Sequence, residues 1–403
     1  MKVCLISPVN KKTGISKYTI RLAHALEKKG VDVTILTDYT SNQYEDIIYD
    51  HAPKVVFLRS LSSLSKFVRK FDVLHFQVGN SKYHLFQVDL ISKVENKGIP
   101  VVSTFHDSTL RGLFYYILSE NLWRKYSDIF SGLIRKYGIQ FLKFVEKIFL
   151  EPSDLTIVHS KANKRFLSSK YPEYDFRVIR HIGYFDDFGE EVEEENGCNS
   201  DYFLLCSSRY KHSNLDSIFK TFIKKFHDQN ISLLISGVSL KKIISDYGFV
   251  KNRLGEDIFV LQRVSEQRYI SLFKNAKAVI FPSELSSHNT PWERKYKPIK
   301  PLLSFLGLSK PPIRTSGALI HALSAGSLVI GPNEVTYKEY IPSDGCYLIE
   351  DESYTNLVRV MKNAFYKRVR TDYSDSDILK EIHPDTVGKK HLSEYKKIIY
   401  NFQ

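Results

Sequence analysis

The chain of 403 residues carries a formal net charge of +13, and 43% of its residues are hydrophobic. No uninterrupted apolar run reaches the ~20 residues that a membrane-crossing helix needs, and Met1–Pro8 is too short an apolar run for a signal peptide, so a cytoplasmic protein is expected. Cys4, Cys198, Cys206 and Cys346 have no metal-ligand spacing, the histidines suggest no zinc site, and Asp375-Ser376-Asp377 reads as a helix cap rather than a metal motif. The basic charge is compatible with nucleic acid, an anionic membrane surface or phosphorylated small molecules, and does not by itself choose among them.

From the N-terminus, Val3–Ser7 reads as a strand, Ile15–Lys29 as an amphipathic helix and Val31–Leu36 as a second strand. Val55–Leu58, Val73–Phe76 and Val101–Thr104 continue the series, with helical segments between. Short β-branched runs separated by helical periods indicate a parallel sheet with helices on both faces. Leu110–Leu150 interrupts the alternation with a helical stretch rich in aromatic and basic residues, and Leu155–His159 and Val178–Ile182 resume strands. Residues 186–201, acidic and glycine-punctuated, read as a linker.

The alternation then restarts with strands at Tyr202–Cys206, Ser232–Ser236, Ile258–Leu261, Ala278–Phe281 and Leu328–Ile330. Helices fall at Leu215–Phe226 and Glu266–Phe273, Trp292–Pro312 reads as an irregular basic insertion, and Ile378–Tyr400 as a polar helical tail. The expected architecture is therefore α/β: two Rossmann-like doubly wound domains facing a central cleft. The expected boundaries are 1–185, a linker at 186–201, a second domain at 202–375 and a tail at 376–403 that returns to the first domain.

Ligands of open α/β sheets bind beyond the carboxyl ends of the strands, which selects a short set of loops. After the first strand comes Gly14 beside Lys11 and Lys12, either a plain turn glycine or a point of close backbone approach to a phosphate or sugar. Asn80 and His84, then His106 and Asp107, follow two further strands of the first half and are candidates for the cleft wall. In the second half Arg209 and Lys211 follow Tyr202–Cys206, where two cations suit a departing diphosphate. Ser316-Gly317 opens a short apolar helix whose backbone N–H groups and dipole suit the same anion, with an ordinary αβ unit as the alternative. Glu339 is either an exposed helix-start glutamate or a partner for ribose or sugar hydroxyls. Neither GxGxxG nor GxxxxGK[ST] occurs, which disfavours a dinucleotide site and a P-loop. No recognition-helix or RNP-type pattern is present, so nucleic acid is not an expected partner.

These pieces in this order resemble the nucleotide-sugar glycosyltransferases of the GT-B fold, most closely the large retaining group called family 4. The resemblance is carried by Gly14-Ile15, Gln77-Val78-Gly79-Asn80-Ser81 with His84, His106-Asp107, Ala276–Pro282, Ser316-Gly317-Ala318-Leu319 and Ala322–Gly326. It implies an acceptor-binding first domain, a donor-binding second domain, Arg209 and Lys211 on the diphosphate, and His106 near the sugar. It also implies no metal and no cofactor, with the nucleotide sugar as substrate, a glycan or lipid-linked acceptor, retention of configuration and a place in polysaccharide or glycoconjugate biosynthesis. Many relatives carry two glutamates eight positions apart around the Ser316 helix, and here those positions hold Ile313 and His321. That departure keeps open a non-catalytic scaffold on the same fold. In Leu113–Leu150, Phe130, Ile134, Tyr137, Phe141, Val145 and Ile148 share one helical face, with Arg135, Lys136, Lys143 and Lys147 elsewhere. Either a core-facing helix with a basic rim or a peripheral contact with the inner face of a membrane fits this pattern.

Overall fold

The computed structural model describes residues 1–9, 13–38, 53–60, 63–94, 98–110, 112–113, 142–185, 201–206, 215–261, 265–282, 315–341, 346–349, 354–366 and 376–402. In the first lobe these give β1 (Lys2–Ile6), α1 (Gly14–Glu27), β2 (Asp32–Thr37), β3 (Lys54–Phe57), α2 (Leu64–Val68), β4 (Val73–Val78), α3 (Leu85–Val94) and β5 (Val101–Phe105). After a helical stretch at 142–150 come β6 (Leu155–Val158), α4 (Lys161–Lys170) and β7 (Phe176–Val178). The second lobe contributes β8 (Asp201–Cys206), α5 (Leu215–Lys225), β9 (Ile231–Ser236), α6 (Leu240–Asp246), β10 (Ile258–Leu261), α7 (Glu266–Asn275) and β11 (Ala278–Ile280). It continues with α8 (Gly317–Ser324), β12 (Val329–Pro332), α9 (Val335–Tyr340), β13 (Tyr347–Ile349) and α10 (Tyr354–Tyr366), and the chain closes with α11 (Asp377–Ile382) and α12 (Pro384–Phe402).

Among the described residues the strands form two parallel sheets, ordered β3-β2-β1-β4-β5-β6-β7 and β10-β9-β8-β11-β12-β13. Each order reverses beside its first strand, between β1 and β4 in one lobe and between β8 and β11 in the other. Helices cover both faces of each sheet, so β4, β5, β6 and β9 are buried along their whole length; they are largely apolar, with His75, Gln77 and Thr104 among the polar side chains they bury. Side-chain oxygens set the helix starts: Thr13 accepts from Ser16 N, Ser160 from Asn163 N, Ser316 from Leu319 N and Ser376 from Leu379 N. Gly326, at φ 67°, ends α8 in the left-handed region that glycine enters without a Cβ penalty. Together these features are the GT-B architecture, two Rossmann-like domains about one cleft.

Three readings shift. β7 ends at Val178, so 179–182 is no strand; it leaves the sheet towards the second lobe. β8 begins at Asp201, one residue earlier than expected, and the tail is two helices broken before Pro384, which lacks a backbone donor. The expected linker is otherwise outside the described residues, as are Trp292–Pro312 and most of Leu113–Leu150. Within 142–150, Leu142, Val145, Phe149 and Leu150 are buried in the first-lobe core, which is the core-facing alternative for that portion. Among the described residues no helix is long and apolar enough to cross a membrane.

The lobes are joined by two passes of the chain. Gly183 N donates to Ile382 O at 2.7 Å, and Arg180 pairs with Glu381 at 3.0 Å, so the outgoing and returning segments are bonded to each other. α12 then lies on α1 so closely that a Cβ at Gly388 would meet Ala25 O at 2.8 Å. Glu339 of α9 completes the junction. Its carboxylate accepts from Lys161 N (2.8 Å) and Ala162 N (2.7 Å), capping α4 of the other lobe, and pairs with Arg180 Nη1 at 2.9 Å. Arg180 and Glu339 side chains are only 8% and 13% exposed, so the pair resists solvent screening. Glu339→Ala is expected to cost about 3 kcal/mol, by leaving two helix N–H groups without their acceptor and the buried Arg180 guanidinium with Glu381 alone. Calorimetry is expected to show the lobes melting separately in this variant, and an unchanged single transition would contradict the junction.

Candidate functional site

The loops at the two switch points bound the cleft. On the first-lobe side, Ser16 Oγ donates to Pro8 O at 2.9 Å and Thr19 Oγ1 to Ser7 Oγ at 2.8 Å, which fixes the turn from β1 into α1. Gly14 is the first residue of α1, its φ lies outside the left-handed region, and among the described residues no heavy atom lies within 4 Å of where its Cβ would be. Neither backbone strain nor crowding by the described residues therefore demands glycine there.

The second-lobe side presents the start of α8. Ser316 caps it through Oγ, and among the described residues a Cβ on Gly317 would meet only Tyr184 Oη, at 3.8 Å. One turn on, His321 is buried with its ring stacked on Tyr184, centroids 3.5 Å apart, and bordered by Tyr269 and Phe273, both at 5.7 Å. The Arg21 guanidinium of α1 lies 4.1 Å from the Tyr184 ring centroid. Arginine from one lobe, tyrosine from the crossing segment and histidine from the other thus come together where the lobes face. Burial, and then the charges of Arg21 and Lys17, push His321 well below the ordinary histidine range, so it is neutral near pH 7. Among the described residues its Nδ1 has no hydrogen-bond partner.

His106, beyond β5, belongs to a buried cluster. Its Nε2 lies 3.0 Å from Gln77 Oε1 and its Nδ1 3.2 Å from His159 Nε2, so both ring nitrogens are held within the lobe. Tyr18 of α1 packs centrally, 4.8 Å from His106, 4.9 Å from His159 and 5.0 Å from His181 between ring centroids. Asp107 is buried beside His106.

The other expected residues separate. Asn80 brackets the loop after β5: its Nδ2 donates to Thr109 O and its Oδ1 accepts from Gly112 N at 2.9 Å. His84 is buried, with Nδ1 3.2 Å from Gln87 Oε1. Both act on loop geometry here, and Glu339 is committed to the lobe junction. Arg209 and Lys211 lie outside the described residues. Lys17, Arg21, His159, Tyr184 and Tyr340 were not among the site residues expected from the sequence, and Gln77 entered only as part of the motif that carries the family resemblance. The i, i+4 pair Lys17 and Arg21 on an amphipathic helix and the strand-end His159 were the available signals.

Two outcomes follow from this geometry. Gly14→Ala is expected to leave the melting temperature unchanged or slightly raised, since alanine favours helix, while weakening whatever ligand approaches that backbone; a large loss of stability would place Gly14 in a purely structural role. The second concerns acid. Burial, reinforced by neighbouring histidines, lowers His75 and His181 to about 3. Burial lowers His84 and His159 to about 4, opposed at both by hydrogen bonds. These groups are neutral when folded and titrate near 6.5 when unfolded. Stability is therefore complete above pH ~6.5 and is lost as pH falls towards 4 and then 3, by about 1.4 kcal/mol per pH unit for each proton taken up on unfolding. Urea midpoints at pH 7.5, 6 and 5 should fall accordingly, and equal midpoints would refute the burial of these rings.

Residues 12–182 match the model of Glycosyltransferase Family 4. No curated protein sequence matches the chain. Among solved structures, a glycosyltransferase from Rickettsia africae is 15% identical, with a TM-score of 0.58 over 99% of each chain. UDP-GlcNAc 2-epimerase from Methanocaldococcus jannaschii is 13% identical at TM-score 0.57, over 98% of this chain and 100% of its own. An alpha-glucosyltransferase in complex with UDP is also 13% identical at 0.57, over 99% and 100%. At these identities the likeness is one of fold.

Proposed function

Because the first lobe carries a Glycosyltransferase Family 4 domain and the whole described chain builds a GT-B fold, we propose that the protein is a glycosyltransferase that moves a sugar from a nucleoside-diphosphate donor to a glycan or lipid-linked acceptor. The observation that carries the reading is the convergence of a helix start, Ser316-Gly317, with the cation-bearing helix α1 of the opposite lobe across Tyr184. Such a place suits an anion better than a neutral ligand.

In this reading the backbone N–H groups at Ser316 and Gly317 bind the diphosphate, and Arg209 and Lys211 neutralise the charge that grows on it as the glycosidic bond breaks. Gly14 lets the donor approach the start of α1. His106 forms a wall at the sugar rather than a free base, since both its ring nitrogens are already engaged. Asp107 stands beside it towards the acceptor. Asn80 and His84 support the acceptor side indirectly, through the loops they hold. The cations and helix dipole take the part a divalent metal plays elsewhere, and retention of configuration follows the family. The net charge of +13 and the basic, aromatic composition of residues 114–141 support a peripheral contact with an anionic membrane on the cytoplasmic side.

A second reading has a specific observation behind it: epimerase structures share the fold as closely as transferases do. The products distinguish the two, since an epimerase returns an altered nucleotide sugar and a transferase releases the nucleoside diphosphate.

UDP or GDP at millimolar concentration, with a chelator present, is expected to raise the melting temperature by binding the folded state alone. Arg209→Ala is expected to lower turnover at least about 10²-fold. Absence of a shift with either nucleotide would remove the donor reading, and donor binding without transfer or hydrolysis would mark a non-catalytic scaffold.

A further inference from the structure

The last helix of the chain reaches the cleft through a line of buried side chains. Tyr395 Oη of α12 lies 2.6 Å from His75 Nδ1. His75 Nε2 lies 2.7 Å from Thr104 Oγ1 and 3.1 Å from the Gln77 amide, whose other end lies 3.0 Å from His106 Nε2. His106 Nδ1 meets His159 Nε2 at 3.2 Å, and His159 Nδ1 meets Ile179 O at 3.0 Å. Tyr395, His75, Gln77 and His159 are all buried, and His106 at the cleft end is 9% exposed.

A main-chain carbonyl only accepts, so His159 Nδ1 carries a hydrogen. With a neutral ring, His159 Nε2 then accepts, and His106 Nδ1–H donates to it. His106 Nε2 must in turn accept, which turns the amino end of the Gln77 amide towards it and the carbonyl end towards His75, the reverse of the placed orientation. His75 Nε2–H then donates, shared between Gln77 Oε1 and Thr104 Oγ1, and His75 Nδ1 accepts from the Tyr395 hydroxyl. The opposite amide orientation requires an imidazolium at His106 or His159, and burial opposes that charge at either ring.

We propose that Tyr395, His75, Gln77 and His159 are positioning residues that form a one-way hydrogen-bond chain from the C-terminal helix and lock His106 as its Nδ1–H tautomer. Every donor points from Tyr395 towards Ile179 O, so reversing one link leaves two donors or two acceptors facing each other elsewhere. His106 is thereby fixed in ring plane and protonation at the edge of the cleft. The consequence for sugar transfer rests on the function proposed above; the proton arrangement does not.

The test uses the full chain with 15N-labelled histidine, whose ring-nitrogen shifts distinguish the tautomers near pH 7.5. Nδ1–H at His106 and His159 with Nε2–H at His75 is expected, His106→Gln serving to assign the His106 signals. Nε2–H at His106, or Nδ1–H at His75, overturns the proposal. Tyr395→Phe is expected to mix the tautomers at His75 and His106 and to lower kcat about tenfold with donor KM within twofold. Leu392→Ala, which loosens α12 packing outside the chain of bonds, is expected to lower stability yet keep the wild-type tautomers and kcat. If both variants shift the tautomers and kcat alike, Tyr395 acts only through helix docking and the proposal fails. The expected tautomers in a protein without turnover would support the proton arrangement and sink the transferase reading alone.

Discussion

Everything in the cleft depends on the bonding between the two passes of the chain from lobe to lobe. Residues 179–185 go out and residues 376–383 come back, and they are held together by the Gly183–Ile382 main-chain bond, the Arg180–Glu381 pair and the contact of Phe185 with His383. On this seam α9 adds Glu339, which caps α4, and Tyr340, whose hydroxyl donates to His159 O at 2.6 Å and accepts from His181 N at 3.2 Å. One turn of the second lobe therefore touches the helix start, the crossing arginine and the carbonyl of a histidine in the buried chain. The orientation of α1 against α8, and so the meeting of Arg21, Tyr184 and His321, follows from where that seam holds the lobes. A looser junction would leave the same side chains without a shared site.

The fold was largely legible because parallel strands are buried on both faces. Segments such as Tyr202–Cys206 and Leu328–Ile330 have to be apolar throughout, and serines before the helices announce their starts. Val178–Ile182 misled for a physical reason: Val178, Ile179 and Ile182 are apolar and buried, but sheet pairing stops after Ile179 N bonds Val158 O, and buried residues beyond a strand's end leave much the same trace in sequence as the strand itself. The site was legible in its loops and not in its partners. Glu339, following a strand, read either as an exposed glutamate or as a partner for sugar hydroxyls, and its bonds to α4, more than 150 residues earlier in the chain, have no local trace. Asn80 likewise satisfies the loop that follows the neighbouring strand. His75 and Tyr395 lie 320 positions apart, and no local pattern can pair them.

The buried histidines show how this lobe reconciles polar groups with a core. An imidazole is amphoteric when neutral, donating at one nitrogen and accepting at the other, so a series of them passes hydrogen-bond direction along without placing a charge indoors. A lysine or carboxylate in the same positions would demand a counter-ion at each. The arrangement has a cost confined to acid, where every ring that gains a proton in the unfolded chain favours unfolding.

His321 follows the same logic at the interface, with a different consequence. Stacked on Tyr184 and depressed by Arg21 and Lys17, it carries no charge at neutral pH. A glutamate there would bring one negative charge to the face where α1 meets the start of α8, and would draw Arg21 to itself. The neutral ring leaves that face one unit more positive, which strengthens its attraction for a diphosphate. It also forfeits a carboxylate that could accept from ligand hydroxyls. Anion holding and hydroxyl recognition are thus in opposition at this position, and the residue present favours the anion. Recognition of the sugar and ribose hydroxyls then has to come from other groups on the cleft wall.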